Sequence, residues 1–399
     1  MPEPVNLTYY VPEDLRWDSE IIKAFLECAP YHLHGMRPEV SGRNILVSGV
    51  PEKPLPGSAY DIVGSVVTSL VRGYRDVTSR LLGEHASKRV YAKIDPFETL
   101  IDQGAIRQSS AGVFNYGGTF LAAMRSVDAL ISNFAQSLGA VEEAYPSTVP
   151  TTSLVRAGYL KSFPHHALLV APIQYNRHSI EAAQTLDLSA GENRSQFVSQ
   201  LGNPSCALAP TVCHHTFNAR KDSKISKNET ITAENLCHRF EAENVNSLER
   251  LMTFRMREIV FFGSAEHIRN MLDTCFDWFQ KLLIQLDVSF RATTANDPFF
   301  GNSSDSKRLF QTIGMLKREV HLHIPATDRW IAVASFNNHA ESLVGAFAIH
   351  GEEGQDLQSG CVGFGIERLL YGLFCAFGTS EEHWPESVFM MGVGGSAPK

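Results

Sequence analysis

The run Ser359-Gly360-Cys361-Val362-Gly363-Phe364-Gly365-Ile366-Glu367-Arg368-Leu369-Leu370 spaces glycines along a strand and then sets a guanidinium at the start of an apolar helix. Such glycines let a ligand pass close to the backbone. Arg368 falls in the first turn of a helix whose apolar face is Ile366, Leu369, Leu370, Leu373 and Phe374. The stretch is not a P-loop, which needs Gly-Lys-Ser/Thr, nor a strand-first dinucleotide fingerprint with a trailing acid. A second chemical cluster precedes it: Cys237-His238-Arg239-Phe240-Glu241, a polar loop, then Arg250-Leu251-Met252-Thr253-Phe254-Arg255-Met256-Arg257-Glu258. Two strands joined by that loop place Arg239, Glu241, Arg250, Phe254 and Glu258 on or near one face, with cations for phosphates and a ring for a base. A charged strand pair alone is most often a solvated sheet face. Its conjunction with the glycine strand points to nucleotide chemistry.

The elements that position these residues follow from periodicity. Phe120, Leu121, Met124, Val127, Leu130, Ile131, Phe134 and Leu138 recur at helical spacing, with Gly139 at the end. Ile268, Met271, Leu272, Cys275, Phe276, Phe279, Leu282, Leu283 and Leu286 do the same after the N-cap Ser264, which reads first as a packed core helix. Between and after them come extended runs, 167–170, 206–209, 236–240, 252–262, 330–335 and 343–350, separated by polar loops rather than crossover helices. That predicts an α+β domain built on an antiparallel sheet flanked by helices. Residues 43–48 look extended, and Ile62, Val63, Val66, Val67, Leu70, Val71, Tyr74, Val77 and Leu81 look helical, with Gly83 as a left-handed cap. Residues 1–92 are therefore expected to form a small α+β appendage, and 93–399 the catalytic domain.

Composition excludes several classes. In 399 residues, 44% apolar and 20% charged, there is no room for a disordered, collagenous or coiled-coil chain. A net charge of −8 repels polyanions, so a nucleic-acid partner would need a local basic patch that the sequence does not show. The acidic start lacks the basic flank and apolar stretch of a signal, and no run reaches the roughly 18 apolar residues of a membrane span. Seven scattered cysteines without a CxxC pair suggest a reducing, cytoplasmic setting, with metal binding still open to some of them.

Taken together, Arg239 with Glu241, Arg250 through Phe254 to Glu258, and Gly363-Phe364-Gly365-Ile366-Glu367-Arg368 resemble motifs 2 and 3 of class II aminoacyl-tRNA synthetases. Leu138-Gly139-Ala140-Val141-Glu142-Glu143-Ala144-Tyr145-Pro146 resembles motif 1, and the order is right. Within that class the chain is similar to the catalytic core of atypical, zinc-dependent seryl-tRNA synthetases, from about Tyr91 to Gly378. The amino acid:carrier protein ligases, stand-alone cores of this type, are the group it most resembles.

The resemblance implies the following. Zinc is held by Cys213, Glu258 and Cys361, leaving one position for the substrate amine, with Thr211 and Glu258 also facing the substrate. Arg239 bridges the amino acid carboxylate and the ATP α-phosphate, Glu241 contacts the adenine side, Arg250 lies towards the outer phosphates, and Phe254 and Arg368 sandwich the base. A small amino acid is activated as its adenylate and passed to the phosphopantetheine thiol of a carrier protein. Magnesium accompanies ATP, and motif 1 builds a homodimer. One departure stands out: the strand 330–339 has Ala332 where seryl-type enzymes place a magnesium-binding Glu, leaving Asn337, Asn338 or Glu341. A helical insertion at about 264–310, with Lys307, Arg308, Lys317 and Arg318, is expected to dock an acidic carrier. Two alternatives remain: a catalytically silent amino acid or adenylate sensor, which Ala332 would permit, and a tRNA synthetase using residues 1–90, against which the acidity weighs.

Overall fold

A computed structural model describes residues 3–73, 79–89, 95–186, 193–241, 245, 247–295, 317–352 and 356–385. Its centre is an eight-stranded sheet formed by β1 (Leu81–His85), β2 (Val141–Glu142), β3 (Glu229–His238), β4 (Thr253–Gly263), β5 (Phe290–Thr294), β6 (Lys317–Ile324), β7 (Arg329–Ala340) and β8 (Gln358–Gly365). Across the sheet the order is β1-β5-β6-β7-β8-β4-β3-β2. Every neighbouring pair is antiparallel except the edge strand β2 on β3. The antiparallel α+β expectation holds.

Three helices cover one side: α1 (Gly118–Ser137), α3 (Ala265–Gln285) and α4 (Ile366–Phe377), with α2 (Cys213–Ala219) on the other. Their apolar stripes and the back of the sheet form the main core, in which Phe120 stacks on Phe374 at 5.5 Å and Phe279 meets Phe364 edge-on at 5.2 Å. Ser264 caps α3 by accepting the His267 N–H. Gly360 lets α3 approach the sheet, because a Cβ there would lie 2.8 Å from Ile268 Cγ2 and 3.1 Å from the Asn337 carbonyl oxygen. Gly360→Ala is expected to destabilise the protein by about 1–3 kcal/mol, read as a lower urea midpoint at unchanged slope.

The amino-terminal unit has its own core under a three-stranded sheet, Val5–Tyr10, Asn44–Gly49 and Glu39–Ser41, packed by helices Ser19–His32 and Ala59–Gly73. Several expectations are corrected here. Leu81 and Gly83 lie in β1 and pair with β5, so the segment after residue 80 joins the large sheet and Gly83 caps no helix. The run 343–350 is a short helix, Ser342–Ala346, followed by a two-residue bridge, His350–Gly351. α3 packs its apolar face into the main core, and the chain runs on from it into β5; residues 296–310 of the expected docking insertion lie outside the described residues. Tyr74, Val77, residues 91–94, Lys307 and Arg308 lie outside the described residues.

Candidate active site

The face of the sheet opposite α3 carries the chemistry. Register sets Glu258 opposite Gly363, Gly363 opposite Ser335, and Ser335 opposite Glu319. One rung on, Val260, Cys361, Asn337 and Lys317 are aligned. Gly363 keeps the floor low: a Cβ there would lie 3.3 Å from Met256 Sδ and 3.6 Å from both Glu258 Cγ and Ser335 Oγ.

At one end, α2 delivers Cys213 to Glu258 and Cys361. One ligand atom from each lies within 4.8 Å of the others, and all three residues are buried. Among the described residues this is the one such cluster. The Glu258 carboxylate accepts the Val212 and Cys213 N–H groups at 3.0 and 3.1 Å, which orients it at the start of α2. Thr211 Oγ1 lies 2.9 Å from Cys213 Sγ. Burial, then the charge of Cys361, pushes the Glu258 carboxyl up to about 8. A hydrogen bond from Cys213, with donors from Asn337 and His339, makes Cys361 the more acidic thiol, while the same bond and burial raise Cys213. Two thiols and a carboxylate gathered out of water form a soft, anionic donor set that fits a thiophilic divalent cation with one coordination position left open.

At the other end the arginines converge. Arg239 Nε donates to the Pro210 carbonyl at 3.1 Å, and its guanidinium lies 5.3 Å over the Phe254 ring. Arg250 pairs with the buried Glu241 at 3.2 Å. Arg368 donates to the carbonyls of Glu249 (2.6 Å) and Ala332 (3.4 Å), and burial, then Arg250, pulls its pKa down to about 10. Such a desolvated cation next to other cations is suited to polyanion binding. Arg239 rather than Arg368 is the cation over Phe254 here. Glu367 does not pair with Arg368; its carboxylate accepts the Arg255 N–H at 2.8 and 3.0 Å.

Some expected roles fall elsewhere. Asn338 Oδ1 accepts the Ala340 N–H, Asn337 Nδ2 lies 3.6 Å from Cys361 Sγ, and Glu341 is exposed. Ala332 lies opposite His321 beside the Glu319–Ser335 rung, and Glu319 is held by Lys317 (3.0 Å) and His321 (3.4 Å). Arg318 pairs with Asp273 at 2.8 Å and lies 4.5 Å over Phe276. The exposed residues of α3 are mixed in charge, Glu266, Asp273 and Asp277 against Arg269 and Lys281. Sequence reasoning missed the histidines around Arg239. The His165 and His166 rings are 4.1 Å apart against the Phe240 loop, and burial pulls His165 down to about 4. Their signal was the His-His doublet alone.

The fold is that of the class II seryl-tRNA synthetase catalytic core. The seryl-tRNA synthetase of M. kandleri, solved in complex with A. aeolicus tRNASec, superposes with a TM-score of 0.71 at 17% identity, over 97% of this chain and 77% of that one. The cytoplasmic serine-tRNA ligase of Naegleria fowleri, solved with AMP, gives 0.59 at 9% identity, over 80% and 74%. In sequence the chain is a homologue of two kinds of ligase. It is 26% identical to amino acid–[acyl-carrier-protein] ligase 1 of Bradyrhizobium diazoefficiens over 294 residues, 74% of this chain and 89% of that protein. It is 28% identical to ligase 2 of the same organism over 296 residues, 74% and 86%. The type-2 serine-tRNA ligase of Methanopyrus kandleri is 22% identical over 276 residues, 65% and 52%. No family model matches the chain. Covering 97% of this chain, the M. kandleri superposition reaches into the appendage, beyond the segment the motifs covered. No helix among the described residues is long and apolar enough to cross a membrane.

Proposed function

We propose that the protein activates a small amino acid with ATP and transfers it to the phosphopantetheine thiol of a carrier protein. The observation that carries this reading is the joining, on one sheet face, of the Cys213–Glu258–Cys361 donor set with the Arg239, Arg250 and Arg368 cluster. Bound there, zinc would take the neutral amine of the substrate and reject acids that lack one. Arg239 then holds the substrate carboxylate against the α-phosphate. A carboxylate oxygen attacks that phosphorus, pyrophosphate leaves, and the aminoacyl adenylate forms by positioning and charge neutralisation. The adenine lies between Phe254 and Arg368, with Glu241 at its edge and Arg250 towards the outer phosphates. Glu319, beside Ala332, would hold the magnesium that accompanies ATP once its contacts with Lys317 and His321 give way. In the second step the carrier thiol, losing its proton, attacks the adenylate carbonyl and AMP leaves.

The carrier-ligase relatives, matched over nearly their whole length, support a carrier protein as acceptor. A synthetase acting on tRNA is the reading favoured by the M. kandleri likeness. The appendage's exposed sheet face speaks against it: it carries Asn6, Thr8, Tyr10, Asn44, Leu46, Ser48 and Glu39, with no Lys or Arg among them. A homodimer through α1 and β2 is supported by Val141, 63% exposed on the edge strand.

The test is amino-acid-dependent exchange of pyrophosphate into ATP, across the common amino acids, with and without a zinc chelator. Exchange with one or two small amino acids that vanishes on chelation is expected. No exchange by folded, metal-loaded protein would favour the silent sensor and make Ala332 the first residue to replace with Glu.

A further inference from the structure

We propose that His339 and Asn337 are positioning residues for the metal centre, each donating a hydrogen bond to the Cys361 sulfur and so fixing the direction and charge of one thiolate ligand. The inference rests on the zinc reading above. Asn337 Nδ2 lies 3.6 Å from Cys361 Sγ and 3.2 Å from Ser335 Oγ. His339 Nε2 lies 3.5 Å from the same sulfur, and Ser359 Oγ lies 3.4 Å from the other ring nitrogen. With the Ser359 hydroxyl donating to Nδ1, the imidazole carries its proton on Nε2 and aims it at sulfur.

Backbone irregularity produces this aim. Asn337 pairs with Cys361 and Asn338 with Gly360, but Ser359 pairs with Ala340, so His339 is the extra residue of a β-bulge. Ala340 closes the bulge in the left-handed region at φ 48°, where a non-glycine residue is strained, and Asn338 Oδ1 accepts its N–H at 2.9 Å. Bulges beside sites re-aim a side chain. Here the released ring turns towards Cys361 and is held edge-on by Phe217, centroids 5.8 Å apart. Two donors thus converge on Cys361, while Thr211 serves Cys213. Each donor draws charge off a sulfur, leaving a bound cation the stronger Lewis acid towards an incoming amine, and holds the sulfur's lone pair in line.

Cobalt(II) reports on this directly, because its thiolate-to-metal charge-transfer band moves with the energy of the sulfur electrons. With Co²⁺-loaded full-length protein, His339→Ala and Asn337→Ala are each expected to shift the band to longer wavelength. Zinc affinity, measured against a competing chelator, is expected to weaken about 10–100-fold. His339→Gln, which keeps a donor, is expected to recover most of both changes, which a merely structural role for the ring would not predict. Asn337→Ala serves as the independent variant should His339→Ala fail to fold. Wild-type band positions and wild-type zinc affinity in both alanine variants would overturn the inference and leave the zinc site standing. Failure of the wild-type protein to bind either metal through thiolates would overturn the zinc reading itself.

Discussion

Cys361→Ser protein is expected to emerge from purification with no zinc and to show no pyrophosphate exchange, whereas the wild-type chain is expected to carry about one zinc per molecule. The buried Cys213–Glu258–Cys361 cluster explains the size of the effect. A serine hydroxyl does not ionise at neutral pH and is a poor zinc ligand, so the replacement leaves only one thiolate and one carboxylate to hold the metal. Cys213→Ser is expected to behave the same way, because α2 places that sulfur as Glu258 receives the first N–H groups of the helix. Metal content by mass spectrometry of the intact protein reads the outcome, with circular dichroism establishing that the sheet is formed. Full zinc occupancy in both variants would sink the site.

The fold was legible where side-chain spacing alone determines an element. Phe120 to Leu138 and Ile268 to Leu286 read as helices because each lays one apolar stripe on the sheet. The strands of the two charged motifs were legible because their alternation separates a cleft face from a back face. Reading failed where backbone chemistry overrides pattern. Residues 343–350 are apolar enough for a strand, yet Glu341 starts a helical turn there. Leu81 continues a helical period in the sequence but pairs across β1 with Thr293, a partner far away in the chain.

The site shows the same division. Cys213, Glu258 and Cys361 are far apart in the chain, so spacing could not suggest them; a resemblance did, and the pairing of β4 with β8 together with α2 brings their ligand atoms together. The destination of Arg318 was invisible for a related reason. A cation near the end of a strand looks like free surface until the pairing of β6 turns it under α3, onto Phe276 and Asp273. The bulge at His339 depends on a one-residue slip between β7 and β8, which no local pattern in either strand encodes.

Arg239→Ala is expected to lower amino-acid-dependent exchange by about 10²–10³-fold, the effect of removing one charged donor from a developing oxyanion, while zinc content stays at the wild-type level. The separation of these two readouts distinguishes the nucleotide end of the cleft from the metal end. Arg239 is fixed from two sides: its Nε is held by the Pro210 carbonyl, and its guanidinium carbon lies 5.3 Å from the centre of the Phe254 ring. Burial works against its charge, but Tyr159, Cys237, Glu241 and Glu258 outweigh burial and keep it cationic. A guanidinium held this way offers two parallel N–H groups, one for a substrate carboxylate oxygen and one for the α-phosphate, which the ammonium of Arg239→Lys cannot supply together. The lysine variant is therefore expected to recover little of the lost rate. Arg368→Ala, at the adenine end, is expected to act chiefly through the KM for ATP, because stacking holds the base equally before and during the reaction. An Arg239→Lys enzyme with near-normal turnover would show that one positive charge suffices there and remove the bridging role.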